Sequence, residues 1–222
     1  MKKLFFILTT LLCGLFSQTA LASVCDKYKT DIKIEFSTSY GKLTYDYSKN
    51  QREITELARK NKRLEKGLFA AGLSTIQVVW EINLNTIAEI IDNNKICIIP
   101  TSIEIFIGYK DPIIYLANNL TPNTCHYNVV LRHEQTHQQI NKTTLEYFLP
   151  YFYKAAKKIA KQIPLKETDS PSEINTVTQQ LSYEYTQKFA PTIKTFKQQL
   201  LTEQSKLDNE ENYSHEADLC RF

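Results

Sequence analysis

The chain changes its hydrophobic period once, at "TPNTC" (residues 121–125), and that change constrains the fold more than any single motif. Before it, apolar and polar residues alternate. "DIKIEFSTSYGKLTYDYS" alternates on both sides of Tyr40-Gly41 and predicts a β-hairpin. "STIQVVWEINLN" predicts a strand carrying the only tryptophan, Trp80, "KICIIPTSIEIFIGY" alternates around Pro100, and "PIIYLA" is a short apolar strand. Pro100 and Pro112 are expected at strand edges or ends, because proline brings no N–H to a ladder. Between the first two strand regions, "REITELARKNKRLEKGL" has the spacing of a charged surface helix.

After residue 125 nearly everything reads as helix. One helix is expected from about His126 to Phe148, and "YFYKAAKKIAKQI" forms a second after Pro150. The loop "KETDSPSE", with Ser172 as its cap, leads to a helix from Glu173 to Phe189. Pro191 then separates this from a helix through "IKTFKQQLLTEQSKLDNEE". With no internal repeat, this order predicts a single α+β domain over residues 23–222, strand-rich first and helical second.

Residues 1–22 are set apart from that domain. Lys2 and Lys3 precede a long apolar run and end at Ala20-Leu21-Ala22, the pattern of a secretory signal peptide cut after Ala22. Cleavage leaves no membrane anchor and removes two lysines, so the net charge falls from +3 to 3 − 2 = +1. A nearly neutral chain has no electrostatic case for nucleic acid or an anionic membrane as partner. Cys25, Cys97, Cys125 and Cys220 remain, an even count that in an exported chain predicts two disulfides with three possible pairings. Sequons occur at Asn119, Asn141 and Asn212. Asn141 falls on the long helix close in angle to His137, where a glycan would obstruct a site, so a periplasmic or secreted bacterial protein is expected.

The chemistry is carried by "RHEQTH", in which His133, Glu134 and His137 form H-E-x-x-H, and the chain has only four histidines. On a helical wheel His137 lies about 40° from His133, so two imidazoles one turn apart can share one Zn2+ ion. Glu134 lies at about 100°, beside that side, where a general base belongs. Val129, Val130, Ile140 and Phe148 share the histidine stripe, so it faces inward. Two neutral buried histidines each need a partner, and a metal supplies one.

A catalytic zinc site needs a third protein ligand. Residue 143 is a threonine where a third histidine would complete one known pattern, and Glu146 projects at about 220°, away from the metal side. The candidates lie in the C-terminal helices: Glu173, Glu184, and "EENYSHEAD" with His215, Glu211, Glu216 and Asp218. If Cys125 pairs with Cys220, the disulfide would staple the tail beside the motif helix, which favours His215. His126, two turns before His133, is too far for the same ion and is expected to be a core residue or a substrate contact. Tyr213 is a candidate phenol for steadying a tetrahedral intermediate.

The order "TYDYS", "ITELARKN", "QVVWEIN", "KICIIPTSIEIFI", "LRHEQTH" resembles a bacterial family of secreted proteins of unknown function, predicted to be zinc-dependent proteases. The resemblance implies a zincin-like fold and zinc-dependent proteolysis. The family's acidic stretch before a histidine, similar to "LDNEENYSH", points to His215. A carboxylate associated with the family's helix just after the second histidine is replaced here by Asn141 and Lys142.

The sequence therefore leads to the expectation of an exported zinc metalloprotease, with His133, His137 and His215 as ligands, Glu134 as base, and peptide or protein as substrate. Docking of an extended substrate on "SIEIFIG" or "PIIYLA" as an edge strand is the expected binding mode. The alternatives are an inactive zinc module that recognises peptide or cell-wall material, an amidase acting on peptidoglycan, and a metal-free structural protein.

Overall fold

The computed structural model describes residues 24–28, 31–61, 64, 67–91 and 94–220, and the expected signal peptide, residues 1–22, lies outside them. The α+β order holds: strands β1 (Lys33–Ser39), β2 (Thr44–Asp46), β3 (Gly72–Ile90) and β4 (Ile96–Leu116) surround one helix, α1 (Gln51–Lys60). Then come α2 (Cys125–Gln162), the short strand β5 (Lys166–Thr168), α3 (Ile174–Ser205) and α4 (Glu210–Asp218). β5 falls within the expected loop.

β4 is the centre of the sheet. β3 runs antiparallel along one side of it, while β5, β1 and β2 pair with successive stretches of β4. The expected hairpin at Tyr40-Gly41 is absent. β1 and β2 are both parallel to β4, and the offset is the same in Lys33↔Ser102 and Thr44↔Ile113. They are one strand with a detour, and alternation alone cannot distinguish that from a hairpin. Gly41 turns the detour at φ +70°, and a Cβ there would sit 2.6 Å from Pro112 Cδ.

The prolines of β4 are interior, not terminal. Both sit at register shifts against β3, one between Asn85 and Thr86 opposite Pro100, the other between Thr75 and Gln77 opposite Pro112. Each also lies between the stretches paired by β5, β1 and β2. A bulge tolerates proline because it interrupts the ladder, and each extra residue flips the inward parity. The buried set accordingly runs Ile96 and Ile98, then Ile103, Ile105, Ile107 and Tyr109, then Ile114 and Leu116. "SIEIFIG" and "PIIYLA" thus belong to a strand paired on both sides, and neither is an edge on which a peptide could add.

Pro150 and Pro191 interrupt neither α2 nor α3. Apolar stripes continue across both: Leu145, Phe148, Phe152, Ala156 and Ile159 on α2, and Leu181, Tyr185, Phe189, Ile193, Phe196 and Leu200 on α3. These stripes interlock over the sheet in one core, with Phe152 and Phe196 rings 5.5 Å apart. Burying a large side chain contributes about 1.5–3 kcal/mol, so several together outweigh the roughly 3 kcal/mol that an interior proline costs. On the opposite face, Cys25, Ile91, Cys97, Ile99 and Leu165 form a smaller cluster closed by the Cys25–Cys97 disulfide. α1 ends at Lys60, short of the expected range, and starts from a capping box between Asn50 and Glu53. It packs Ile54 and Ala58 against Leu73 and Ala117, which fixes the start of β3.

Candidate metal centre

α2 turns its motif inward as the wheel requires: His133, Glu134 and His137 are all buried. The second side of the site comes from the connection between α3 and α4. α3 stops at Ser205, and Asn209 caps α4 by accepting the Asn212 N–H at 2.9 Å. Asp208, in that connection, points its Oδ1 at both imidazoles, 3.2 Å from His133 Nε2 and 3.0 Å from His137 Nε2. The two Nε2 atoms are 3.1 Å apart.

Hydrogen-bond accounting shows what such a cluster needs. His133 Nδ1 lies 2.9 Å from a carboxylate oxygen of Glu216, which can only accept, so Nδ1 carries the proton. Gln204 is oriented by donating its amide to the His137 carbonyl at 3.1 Å and to Asn141 Oδ1 at 2.7 Å. Its oxygen therefore faces His137 Nδ1 and accepts that proton. Both Nε2 atoms of the neutral histidines are left with lone pairs aimed at each other and at a carboxylate. Only a shared proton or a cation satisfies three acceptors at that spacing. A tetrahedral zinc ion with bonds of about 2.0–2.1 Å separates its ligand atoms by about 3.3–3.4 Å, within a few tenths of the spacing found. The donor set and its supporting carboxylate and amide fit a metal ion, which His133, His137 and Asp208 could hold.

Electrostatics point the same way. Burial works against the Asp208 carboxylate, but the His133 and His137 rings beside it and the hydrogen bond from Tyr213 outweigh burial and hold the group well below the usual carboxylate range. For His133 burial disfavours the charged ring, yet the Asp208, Glu134 and Glu216 carboxylates around it raise its pKa overall. Glu134 differs: burial pushes it up to about 7, only partly offset by the two histidines and by the Ser74 backbone N–H that donates to it. A carboxylate poised near neutrality suits a proton acceptor. β3 reaches Glu134 through Gly72, where a Cβ would lie 2.7 Å from both Glu134 Cγ and Oε1. Nearby, Gln138 donates to Ser74 Oγ at 2.6 Å and so ties the motif helix to the same strand.

A cleft of about 600 Å³ opens over this group, walled by α1, the segment before β3, the N-terminal half of α2, and α4. The Cys125–Cys220 disulfide clamps α4 onto the start of α2. Tyr213 lies over the site, its ring stacked 5.4 Å from His133 and its hydroxyl donating to Asp208 Oδ1 at 2.8 Å. Burial, with Asp208 beside it, raises the Tyr213 pKa and keeps the phenol a donor.

The expected third ligand is displaced. His215 is exposed on α4 and is not among the cleft residues; its neighbour Glu216 turns inward to orient His133, and Asp208 completes the cluster. Glu184 pairs with Lys166 at 2.8 Å and Glu173 accepts from Thr168, both away from the cluster. Glu211 is exposed, and neither it nor Asp218 lines the cleft. His126 is an exposed wall residue of the cleft, not a core histidine. Asn141 is buried with its side chain spent on Gln204 and Gln138, so that sequon is inaccessible to a glycan. Asp208, Gln204 and Gly72 were missed by sequence reasoning. The one usable signal was Asn209 before Glu210 and Glu211, a cap and an acidic first turn that place a break at Asp208.

No protein-family model matches the chain, and neither a curated protein nor a solved structure matches it. Two disulfides point to an oxidising, extracellular-type environment, and no described helix is long and apolar enough to cross a membrane.

Proposed function

We propose that this chain is an exported, zincin-like, zinc-dependent hydrolase that cuts amide bonds in peptides or proteins. The observation that carries the reading is the convergence of His133 Nε2, His137 Nε2 and Asp208 Oδ1 beside the buried carboxylate of Glu134, at the floor of an open cleft. Imidazole and carboxylate donors suit zinc, which when bound polarises a carbonyl and lowers the pKa of water towards neutrality. Glu134, held by the Ser74 N–H, takes the proton of the attacking water and returns it to the leaving amine. Tyr213 presents its hydroxyl over the same floor, where it can donate to the oxygen that gains charge as the carbonyl is attacked. Glu216 and Gln204 keep both imidazoles in the tautomer that leaves Nε2 free. Exchange of His215 for Asp208 leaves the reaction class unchanged, since a carboxylate oxygen is an ordinary zinc ligand.

Elemental analysis of the purified protein tests this directly. One zinc per chain is expected, lost in His133→Ala and in Asp208→Ala. Glu134→Gln should keep the zinc and lose hydrolysis of an unfolded protein substrate. Zinc that persists in Asp208→Ala, or a wild-type protein that takes up none, would remove the proposal.

A further inference from the structure

The cleft lining is of two chemical kinds. Beside His133, Glu134, His137 and Asp208 it includes an apolar set, Ala58, Leu64, Leu68, Phe69, Val129 and Val130. None of the described residues lining the cleft is a lysine or arginine. Leu68 and Phe69 keep 51% and 73% of their surface exposed at its mouth, a costly placement for large apolar groups unless something covers them.

Their segment is also held in place. Arg59 donates to the Leu68 carbonyl at 2.7 Å and lies 5.9 Å from the Phe69 ring centroid. The Ala70 N–H donates at 3.0 Å to Thr55 Oγ1, which is itself buried on α1. The wall is therefore attached to α1, whose Ile54 and Ala58 are packed under it. An apolar surface built this way is ready before a ligand arrives, so little ordering is needed on binding. The small residues Ala58 and Ala71 line the same cleft as Leu68 and Phe69.

Resting on the zinc-hydrolase reading, we infer that the α1 side of this cleft is the specificity pocket and that it takes a bulky apolar side chain, of phenylalanine or leucine type, next to the amide to be cut. An acidic side chain is disfavoured there, because Glu134, Asp208 and Glu216 line the same cleft and would repel it. A small side chain gains little there, because selectivity comes from the apolar area covered.

The test uses the full zinc-loaded protein and two hydroxamates, acetohydroxamate and an N-acyl-phenylalanine hydroxamate, titrated by calorimetry. Both chelate zinc and only the second carries a benzyl group. The second is expected to bind about 10- to 100-fold more tightly, from the area a benzyl group buries. Leu68→Ser and Phe69→Ser, measured separately, should each erase a large part of that gain while keeping one zinc per chain. Both positions are exposed, so thermal unfolding should confirm that the variants fold. Equal affinity of the two probes for wild type, or a gain that survives in both variants, overturns the pocket. A zinc-loaded protein that binds neither probe fails the metal reading instead, and the pocket falls with it.

Discussion

Gly72→Ala isolates the contact between the sheet and the proposed base. A Cβ at this position would sit 2.7 Å from Glu134 Cγ, Glu134 Oε1 and Val130 Cγ1. Carbon atoms prefer about 3.5–4.0 Å, so a shift on the order of 1 Å must be found. Glu134 has little room to supply it, being 5% exposed and fixed by the Ser74 N–H, and Val130 is rigid at χ1 on a helix. Overpacking of this kind costs about 1–3 kcal/mol. A middle value of about 2 kcal/mol lowers Tm by roughly 4–8 °C in a domain near 200 residues. A base displaced by about 1 Å loses on the order of 100-fold in kcat/KM. The three atoms nearest the new methyl belong to Glu134 and Val130 and not to His133, His137 or Asp208, so zinc content should stay at one per chain. The assay is a melting curve, elemental analysis and hydrolysis rate on the same preparation. A Gly72→Ala protein with wild-type Tm and wild-type activity would refute the argument that this glycine makes room for Glu134.

Other consequences follow from the same geometry. Asp208→Asn should weaken zinc binding by about 100-fold or more, beyond the range typical of a supporting residue, whereas His215→Ala should leave it unchanged; a competition titration with a zinc chelator decides between them. Replacing Cys125 and Cys220 together by serine opens a loop of 95 residues, for which chain entropy implies a loss of up to about 4.7 kcal/mol. That variant should also bind zinc more weakly, because α4 has no buried residue of its own to hold Glu216 and Tyr213 in place; denaturant melts and zinc titration would show both losses. With zinc removed, stability should fall as pH rises from about 5 to 8. Glu134 has its folded pKa raised from 4.5 to about 7 by burial, so its charged form costs about 3 kcal/mol by pH 8, and the stabilisation from His133 fades as that ring deprotonates. Urea unfolding of chelator-treated protein that is more stable at pH 8 than at pH 5 would contradict this, and added zinc should flatten the profile.

What the sequence made legible was periodicity and spacing. The break at residues 121–125, the inward face of the motif helix, and the pairing of the two imidazoles are local properties of one helix, and the structure places them as read. What stayed hidden depended on long-range pairing. Whether Tyr40-Gly41 turns a hairpin or skirts a bulge depends on Pro112, some seventy residues later. Whether Pro150 and Pro191 end helices depends on the stripe of the opposing helix, which single-helix propensity does not contain. The same limit explains the third ligand. "KLDNEENYSHE" offers Asp208, Glu211, His215 and Glu216 within nine residues, and only the direction in which α4 returns to α2 selects among them.

That return has an electrostatic logic. His215 alone, if turned inward, would bring a neutral ligand to two neutral histidines. Asp208 and Glu216 instead bring two carboxylates beside Glu134, with no lysine or arginine among the described residues lining the cleft. Three acids around two imidazoles leave an excess of negative charge in a half-buried site, and unpaired charge there is expensive. The proton on each Nδ1 is already committed to Glu216 and Gln204, so these cannot neutralise the excess at Nε2. A divalent cation at the Nε2–Oδ1 junction offsets most of it at once and lets Glu134 ionise at lower pH, so the same event would stabilise the tail, the motif helix and the working form of the base. On the proposed reading, metal binding and the docking of α4 would be one equilibrium, with the Cys125–Cys220 disulfide holding the two halves close together.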